Sequence, residues 1–415
     1  MKKLLAVAVT GAVLGSVPAY ASVSDAEFAE LKAQMAAMAQ RLNGLEEENN
    51  KLREQTMKTD SQLATAQSDI AVVKKQADSS SWADNIKIKG DMRYRHETID
   101  EEYKDDRKRD RVRTRMAVIA QGPGNTEIGL GLASGLTDPV SSNQTLGNGA
   151  TTKDIRLDLA YATWHATEAA SVTAGKYVNP FWLSGGSSLI FDGDLRPEGF
   201  TASYNSGMFF ANTAYMYIES DDASVDGTQG VYGLQGGAKF SFTNTTDLTA
   251  ALAYYDAGLR GNVGVYIPTA FFGNATVINA DGTEVYANDF KMVNAGIQLN
   301  TALFDLPLSL FGDYVYNDDA SDYDTGYIAG FSTKINNLSF LYQYQKLEAN
   351  AVLGAWTDSD FAGGGTDGEG SKFVLGYALT KQWALSATYF DNTRGMDLGP
   401  DASYKRWQLD TSWKY

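Results

Sequence analysis

Five arginines on alternate positions are the residues of this sequence best placed to do chemistry. Arg93 and Arg95 follow Gly90-Asp91-Met92, and Arg111, Arg113 and Arg115 alternate with Val112 and Thr114. In a period-two pattern each set shares one side of an extended segment, while Val112, Thr114, Met116 and Val118 fall on the other. On adjacent antiparallel strands the guanidiniums would stack into a single patch. Like charges that close are tolerated only in water or beside carboxylates. Suitable carboxylates stand in Phe191-Asp192-Gly193-Asp194-Leu195-Arg196-Pro197-Glu198-Gly199. If that stretch folds against the patch, Asp192, Asp194 and Glu198 facing Arg93, Arg95, Arg111, Arg113 and Arg115 would form a constriction. A transverse field across it would sort solutes by size and charge. Alternatively the arginines pair with Asp91, Glu97, Asp110 and Asp158 on neighbouring segments. Both arrangements meet the same desolvation demand, and the sequence leaves both open.

Bond-making chemistry has little to work with. The chain has no Cys and two His, which removes thiol nucleophiles, disulfide frameworks and Cys-based zinc sites. His96 and His165 have no nucleophile motif beside them, so no enzyme activity and no cofactor are expected. A net charge of −16 argues against a nucleic-acid partner, whose phosphates call for a basic surface. The acidic run Asn317 to Asp324 lacks the spacing and glycine of a calcium loop and reads as a solvated loop, so no metal site is expected.

The elements that must position the arginines are strands. From residue 84 to the C-terminus the apolar pattern has period two in sixteen segments, near 84–97, 109–121, 125–135, 153–164, 170–178, 198–205, 207–219, 230–243, 247–256, 289–300, 306–317, 325–336, 338–348, 371–380, 383–393 and 404–415. In the first, Ile86, Ile88, Met92 and Tyr94 alternate with Lys87, Lys89, Asp91, Arg93 and Arg95. No stretch past the N-terminus has the ~20 consecutive apolar residues of a spanning helix. A membrane role therefore needs a closed barrel, apolar outside and wet inside. Connections are expected to alternate long and short, and an even strand count leaves both barrel ends on the short-turn side, which is periplasmic in outer-membrane barrels. The last segment closes with Trp407, Leu409, Thr411, Trp413 and Tyr415 on one face. This looks like the signal read by the outer-membrane assembly machinery, with Tyr415 where that signal more often has Phe.

Upstream the pattern is different. Met1-Lys2-Lys3, an apolar stretch from Leu4 to Val17, and Ala19-Tyr20-Ala21 read as a signal peptide over 1–21. Residues 22–77 form heptads, with a positions at Phe28, Met35, Leu42, Asn49, Thr56, Leu63, Ile70 and Ala77, and d positions at Leu31, Met38, Leu45, Leu52, Thr59, Ala66 and Val73. The seam of a coiled coil repeats in this way. Across a parallel interface Arg41 would meet Glu46, Glu48 would meet Arg53, and Asp69 would meet Lys74. All are opposite in sign, favouring a parallel, in-register homo-oligomer. Asn49 at a with Leu at d leans to dimers, so the heptads alone do not give the copy number.

At these motifs the chain resembles the bacterial putative porin family that carries an N-terminal coiled coil, an outer-membrane β-barrel porin. The resemblance rests on Trp82-Ala83-Asp84 leading to Gly90-Asp91-Met92-Arg93, on Asp110-Arg111-Val112-Arg113, and on Asp138-Pro139-Val140-Ser141-Ser142-Asn143-Gln144-Thr145-Leu146. It continues through Gly175-Lys176, Asn179-Pro180-Phe181 and Asp194-Leu195-Arg196-Pro197-Glu198-Gly199. It implies a trimeric, water-filled channel for small hydrophilic solutes and ions, without naming a solute. The expected architecture is an all-β transmembrane barrel at 84–415, seated in outer-membrane lipid of a Gram-negative bacterium. A linker at 78–83 joins it to the coil at 22–77, a stalk in the periplasm. At 1.5 Å per residue the coil would reach ~75 Å, which motivates an alternative function, a structural tether to peptidoglycan or another envelope component.

Overall fold

A computed structural model describes residues 25–79, 85–221 and 229–415. The expected signal peptide at 1–21 and linker positions 80–83 lie outside the described residues. The chain divides into two units, Met1–Ser81 and Trp82–Tyr415.

In the first unit α1 (Asp25–Ser79) is one continuous helix, so no break interrupts the heptads. Thr56 and Thr65 return their hydroxyls to the carbonyls of Leu52 and Ser61 at 2.8 and 2.9 Å, the local bond that lets threonine sit inside a helix. Phe28, Leu31, Met35, Met38, Leu42, Leu45, Leu52, Leu63 and Ile70 are all more than half exposed. The side chain of Val73 lies outside the described residues. A helix is held mainly by packing of its apolar stripe, and along α1 that stripe is bare.

The second unit is a barrel. Its strands are β1 (Ile86–Glu101), β2 (Arg107–Gly122), β3 (Thr126–Ser134), β4 (Ile155–His165), β5 (Ala170–Lys176), β6 (Glu198–Asn205), β7 (Phe209–Glu219) and β8 (Gln229–Ser241). The remainder are β9 (Asp247–Ala257), β10 (Phe290–Leu303), β11 (Leu306–Asn317), β12 (Thr325–Ile335), β13 (Leu338–Leu347), β14 (Gly368–Ala378), β15 (Trp383–Arg394) and β16 (Ala402–Lys414). Each pairs antiparallel with its neighbour in sequence. β1 also pairs with β16, from Asp91 opposite Lys414 to Glu101 opposite Tyr404. The sheet thus has no free edge, the condition for backbone amides to survive in hydrocarbon.

One end of the barrel carries tight turns. Phe304 and Asp305, with φ of 51° and 64°, make a two-residue hairpin of the left-handed kind that matches strand twist. The other end carries long connections at 135–154, 177–197, 258–289 and 348–367. Not every connection at that end is long, since 318–324 and 395–401 have seven residues each and 102–106 has five. The connection 102–106 is short because β1 and β2 run beyond their expected ends, to Glu101 and from Arg107.

The two faces of the wall are inverted relative to a soluble protein. Ile88, Met92, Met116, Ile128, Leu130, Leu252, Ile297, Leu375 and Leu409 point outward and are exposed, whereas Arg95, Glu97, Gln235, Asn294, Arg406 and Gln408 point inward and are buried. Outer rings stack across strands, Trp383 on Trp413 at 5.9 Å and Tyr389 on Trp407 at 4.4 Å. The aromatics of the closing strand therefore lie where their alternation places them.

An interior filled with water alone is not what the loop end contains. Loops 177–197, 258–289 and 348–367 fold inward. Phe181, Leu189, Ile190, Phe191, Leu259, Phe271, Tyr286, Val352 and Leu353 pack with the inward-facing Met216, Val231, Tyr255, Met292 and Val315. Phe181 and Phe191 both meet the Tyr255 ring edge-on, at 4.9 and 5.1 Å. These loops contain apolar runs such as Leu189-Ile190-Phe191, and burying each large side chain is worth about 1.5–3 kcal/mol. Towards the turn end the inward residues are instead Thr163, Thr173, Thr201, Ser203, Asn212, Thr249, Gln298, Asn300 and Ser309, placed by the registers of β4 to β11.

Candidate functional site

Strand pairing assembles the arginines. In the β1–β2 register Arg93 stands opposite Arg113 and Arg95 opposite Arg111. Closure brings β16 to the other side of β1, adding Arg406, so the inner wall carries a ladder of Arg93, Arg95, Arg109, Arg111, Arg113, Arg115 and Arg406. Such a surface folds only if carboxylates come to it, and they come from two sources. From the wall, Asp91 takes Arg113 at 2.9 Å and Arg115 at 2.8 Å. Asp410 grips Arg95 through both oxygens at 2.7 and 2.8 Å. Glu97, fully buried, takes Arg109 and Arg406, with Arg111 at 3.8 Å.

The loops supply the rest. Asp194, from the 177–197 loop, lies 2.8 Å from Arg115 and 3.5 Å from Arg113, and accepts the Ser142 hydroxyl at 2.9 Å. Asp360, from the 348–367 loop, lies 2.9 Å from Arg95 and 2.8 Å from Arg406, and accepts from Gln408. Asn143, from the 135–154 loop, accepts Arg93 at 2.7 Å. Three loops are thus fastened to one strip of wall by charge-assisted hydrogen bonds. Wall pairing and loop pairing, the two alternatives left open by the sequence, coexist.

Not every expected residue joins the ladder. Asp192 takes the backbone N–H groups of Asp194 and Ser359 and tethers the 177–197 loop to the 348–367 loop. Burial and the neighbouring Asp358 push its carboxyl up to about 8. Burial also opposes ionisation of Asp194, but Arg113 and Arg115 outweigh it and hold that carboxyl below its ordinary range. Glu198 pairs with Lys176 at 2.7 Å, and Asp158 with Arg196 at 3.4 Å. Asp110 is on the outer face, where it meets His96 at 2.9 Å and the Tyr94 hydroxyl at 2.8 Å. Sequence reasoning missed Arg109, Glu97 as a shared partner, Arg406, Asp410, Asp360 and the loop residues Ser142 and Asn143. The four wall residues had a readable signal in their alternation. Asp360 had none.

Beside the ladder is open space. A cavity of about 380 Å³ is lined by Ser141, Ser142, Asp158, Lys176, Asp194, Arg196 and Glu198 among others. A second, of about 190 Å³, shares Lys176, Arg196 and Glu198 with it. Arranged this way, the groups can hold and sort charge; among the described residues no three metal-ligating side chains converge.

Residues 99–262 match the family described as "Putative porin". No curated protein matches the sequence. Among solved structures, OprB of Pseudomonas putida in a high-pH form is similar with a TM-score of 0.54 and 14% identity, over 81% of this chain and 96% of that chain. A loop L8 deletion mutant of OmpT, an outer membrane protein of Vibrio cholerae, gives 0.49 and 13% over 80% and 100% of the two chains. OmpF of Salmonella typhi in complex with daunomycin gives 0.49 and 11% over 80% and 97%. The likeness to OprB is one of fold, a closed porin barrel.

Proposed function

We propose that this chain is an outer-membrane porin, a water-filled channel for passive diffusion of small hydrophilic solutes and ions. The observation that carries this reading is the inverted wall: sixteen paired strands without an edge, apolar side chains outward, and amides, hydroxyls and charges inward. Only hydrocarbon outside and water inside make that distribution favourable. The match of residues 99–262 to a porin family supports it. The apolar packing of the inward loops narrows the passage rather than contradicting it. Two polar cavities beside the 177–197 loop, which share Lys176, Arg196 and Glu198, support a narrowed aqueous route.

Within this reading Arg93, Arg95, Arg111, Arg113, Arg115, Asp192, Asp194 and Glu198 belong to the constriction. The arginines set a positive wall, Asp194 closes against it, Asp192 holds the closing loop to its neighbour, and Glu198 lines the remaining slot. The working form is a homo-oligomer, a trimer, with α1 as a coiled-coil stalk in the periplasm. The bare heptad seam supports self-association, as does the polar cluster of Tyr94, His96 and Asp110 on an outer wall that is otherwise largely apolar. Pure protein added to a planar bilayer should give stepwise conductance. A membrane that stays silent, with barrel folding verified, would overturn the channel and leave the structural tether.

A further inference from the structure

Two rings on the turn-end side of the 177–197 loop lie over an unusually smooth patch of wall. The inward face there reads Gly237, Ala251 and Gly296 across β8, β9 and β10, by register. A Cβ at Gly237 would run into the Phe210 ring, and one at Gly296 would stand 3.1 Å from the Trp182 indole. Absence of side chains lets both rings sit on the wall, 6.1 Å apart at an interplanar angle of 55°. Trp182 is held at its backbone, its N–H donating to Gln235 Oε1 at 2.7 Å while Gln235 Nε2 donates to its carbonyl at 2.8 Å. Three residues on, Gly185 N–H donates to Gln298 Oε1 at 2.9 Å. The ring pair is therefore a fixed platform and not a mobile plug.

The cavity in front of it is about 530 Å³ and is lined by Trp182, Ser203, Phe210, Asn212, Thr249 and Asn300 among others. Its volume falls within the roughly 300–1,000 Å³ of small-molecule pockets. Apart from Lys239 its polar groups are neutral, and although the Asn300 amide is engaged by Gln298 and Asp247, the others are partly unspent. Among the described residues the Trp182 indole N–H and the Ser203 and Thr249 hydroxyls have no protein partner, and Asn212 spends only its amide N–H, on Gln235. The charges nearby cancel, Lys239 lying 3.5 Å from Asp247. An ionic solute finds no free counter-charge here, and a purely apolar one would strand the hydroxyls and amides. What fits is a neutral molecule with an apolar C–H face for the rings and hydroxyls around its rim for the amides.

We infer that this cleft is a binding subsite for a neutral saccharide of one or two pyranose rings, stacked on Trp182 and Phe210 and hydrogen-bonded by Ser203, Asn212 and Thr249. The inference rests on the channel reading, since the cleft lies in the barrel lumen, but its test does not require current. The full chain, folded in a sugar-free detergent, is titrated with maltose and observed by saturation transfer to the sugar protons. Triethylene glycol serves as a neutral control without a sugar's C–H face. Maltose should bind saturably and triethylene glycol should not. Trp182→Ala should weaken maltose binding by about tenfold or more, and Trp182→Phe, which keeps a ring, should stay within about threefold of the parent. Thr249→Val provides a second variant that leaves the loop untouched and should also weaken binding. Absence of saturable maltose binding, equal response to triethylene glycol, or unchanged binding in both Trp182→Ala and Thr249→Val would overturn the subsite. A silent bilayer with maltose still bound would remove the channel alone, whereas conductance without maltose binding would remove the subsite alone.

Discussion

Asp192 and Asp194 are two positions apart in one loop and lie in opposite electrostatic settings. Asp194 reaches Arg113 and Arg115 and stays ionised. Asp192 reaches only backbone N–H groups, is buried beside Asp358, and is pushed up to about 8. The charged groups acting on it are Asp358, Asp194 and Asp360, all acidic, and Asp358 is itself paired with Lys372 at 3.4 Å. Such a raised carboxyl holds a proton in the packed state that it would release in an opened one. Stability of the packed state is therefore greatest below the ordinary carboxylate pKa, falls as pH rises, and stops falling above about 8. Contact between the 177–197 and 348–367 loops should accordingly loosen between acidic pH and pH near 8. Hydrogen exchange of the Ser359 amide, corrected for base catalysis, should accelerate over that window in the parent and lose this dependence in Asp192→Asn. Identical profiles in the two proteins would show that Asp192 does not set the contact.

Taken as an element, the ladder spans β16, β1 and β2, and its guanidiniums outnumber the carboxylates that meet them. Arg111 makes no hydrogen bond among the described residues and lies 3.8 Å from a Glu97 already shared by two other arginines. A strip with surplus positive charge should bias passing ions towards anions. Replacing Arg111, Arg113 and Arg115 together by Gln should shift the reversal potential under a salt gradient towards cations. No shift would put these side chains outside the ion path. Much of this element was readable beforehand. Alternation located every barrel strand, because lipid on one side and water on the other force a period of two. The same parity excludes Asp110, an even position beside odd-numbered arginines, from the ladder. Barrel closure implies that Arg406 and Asp410 on the last strand join Arg95 on the first. The 348–367 loop was not readable in this way. Whether it projects outward or folds in depends on long-range packing of Ala351, Val352, Leu353 and Phe361 against a wall assembled from distant strands, for which no local period exists. The water expected throughout the lumen was displaced for the same reason.

At the scale of the whole molecule the two units make opposite demands. The barrel satisfies its own backbone and needs only a bilayer, whereas α1 exposes a seam from Phe28 to Ile70 that none of the described residues of its own unit covers. A helix of 55 residues extends ~80 Å at 1.5 Å per residue. With each large apolar side chain worth about 1.5–3 kcal/mol when buried, a seam this long left in water would be costly. Parallel copies would cover it, with Arg41 against Glu46 and Glu48 against Arg53 fixing register. Asn49 in the middle would then lower stability in exchange for alignment. Deleting residues 24–76 separates what the helix does from what the barrel does. The truncated chain should still fold into a barrel and conduct, because the ladder, the inward loops and the saccharide cleft are each built from residues of the second unit. Its oligomer should dissociate at a lower temperature than the parent's in detergent, and it should lose any retention on isolated peptidoglycan sacculi that the parent shows. If the oligomer is equally stable and retention is the same, the stalk neither assembles the channel nor ties it to the wall. Lost retention with an intact oligomer would assign the helix to tethering alone.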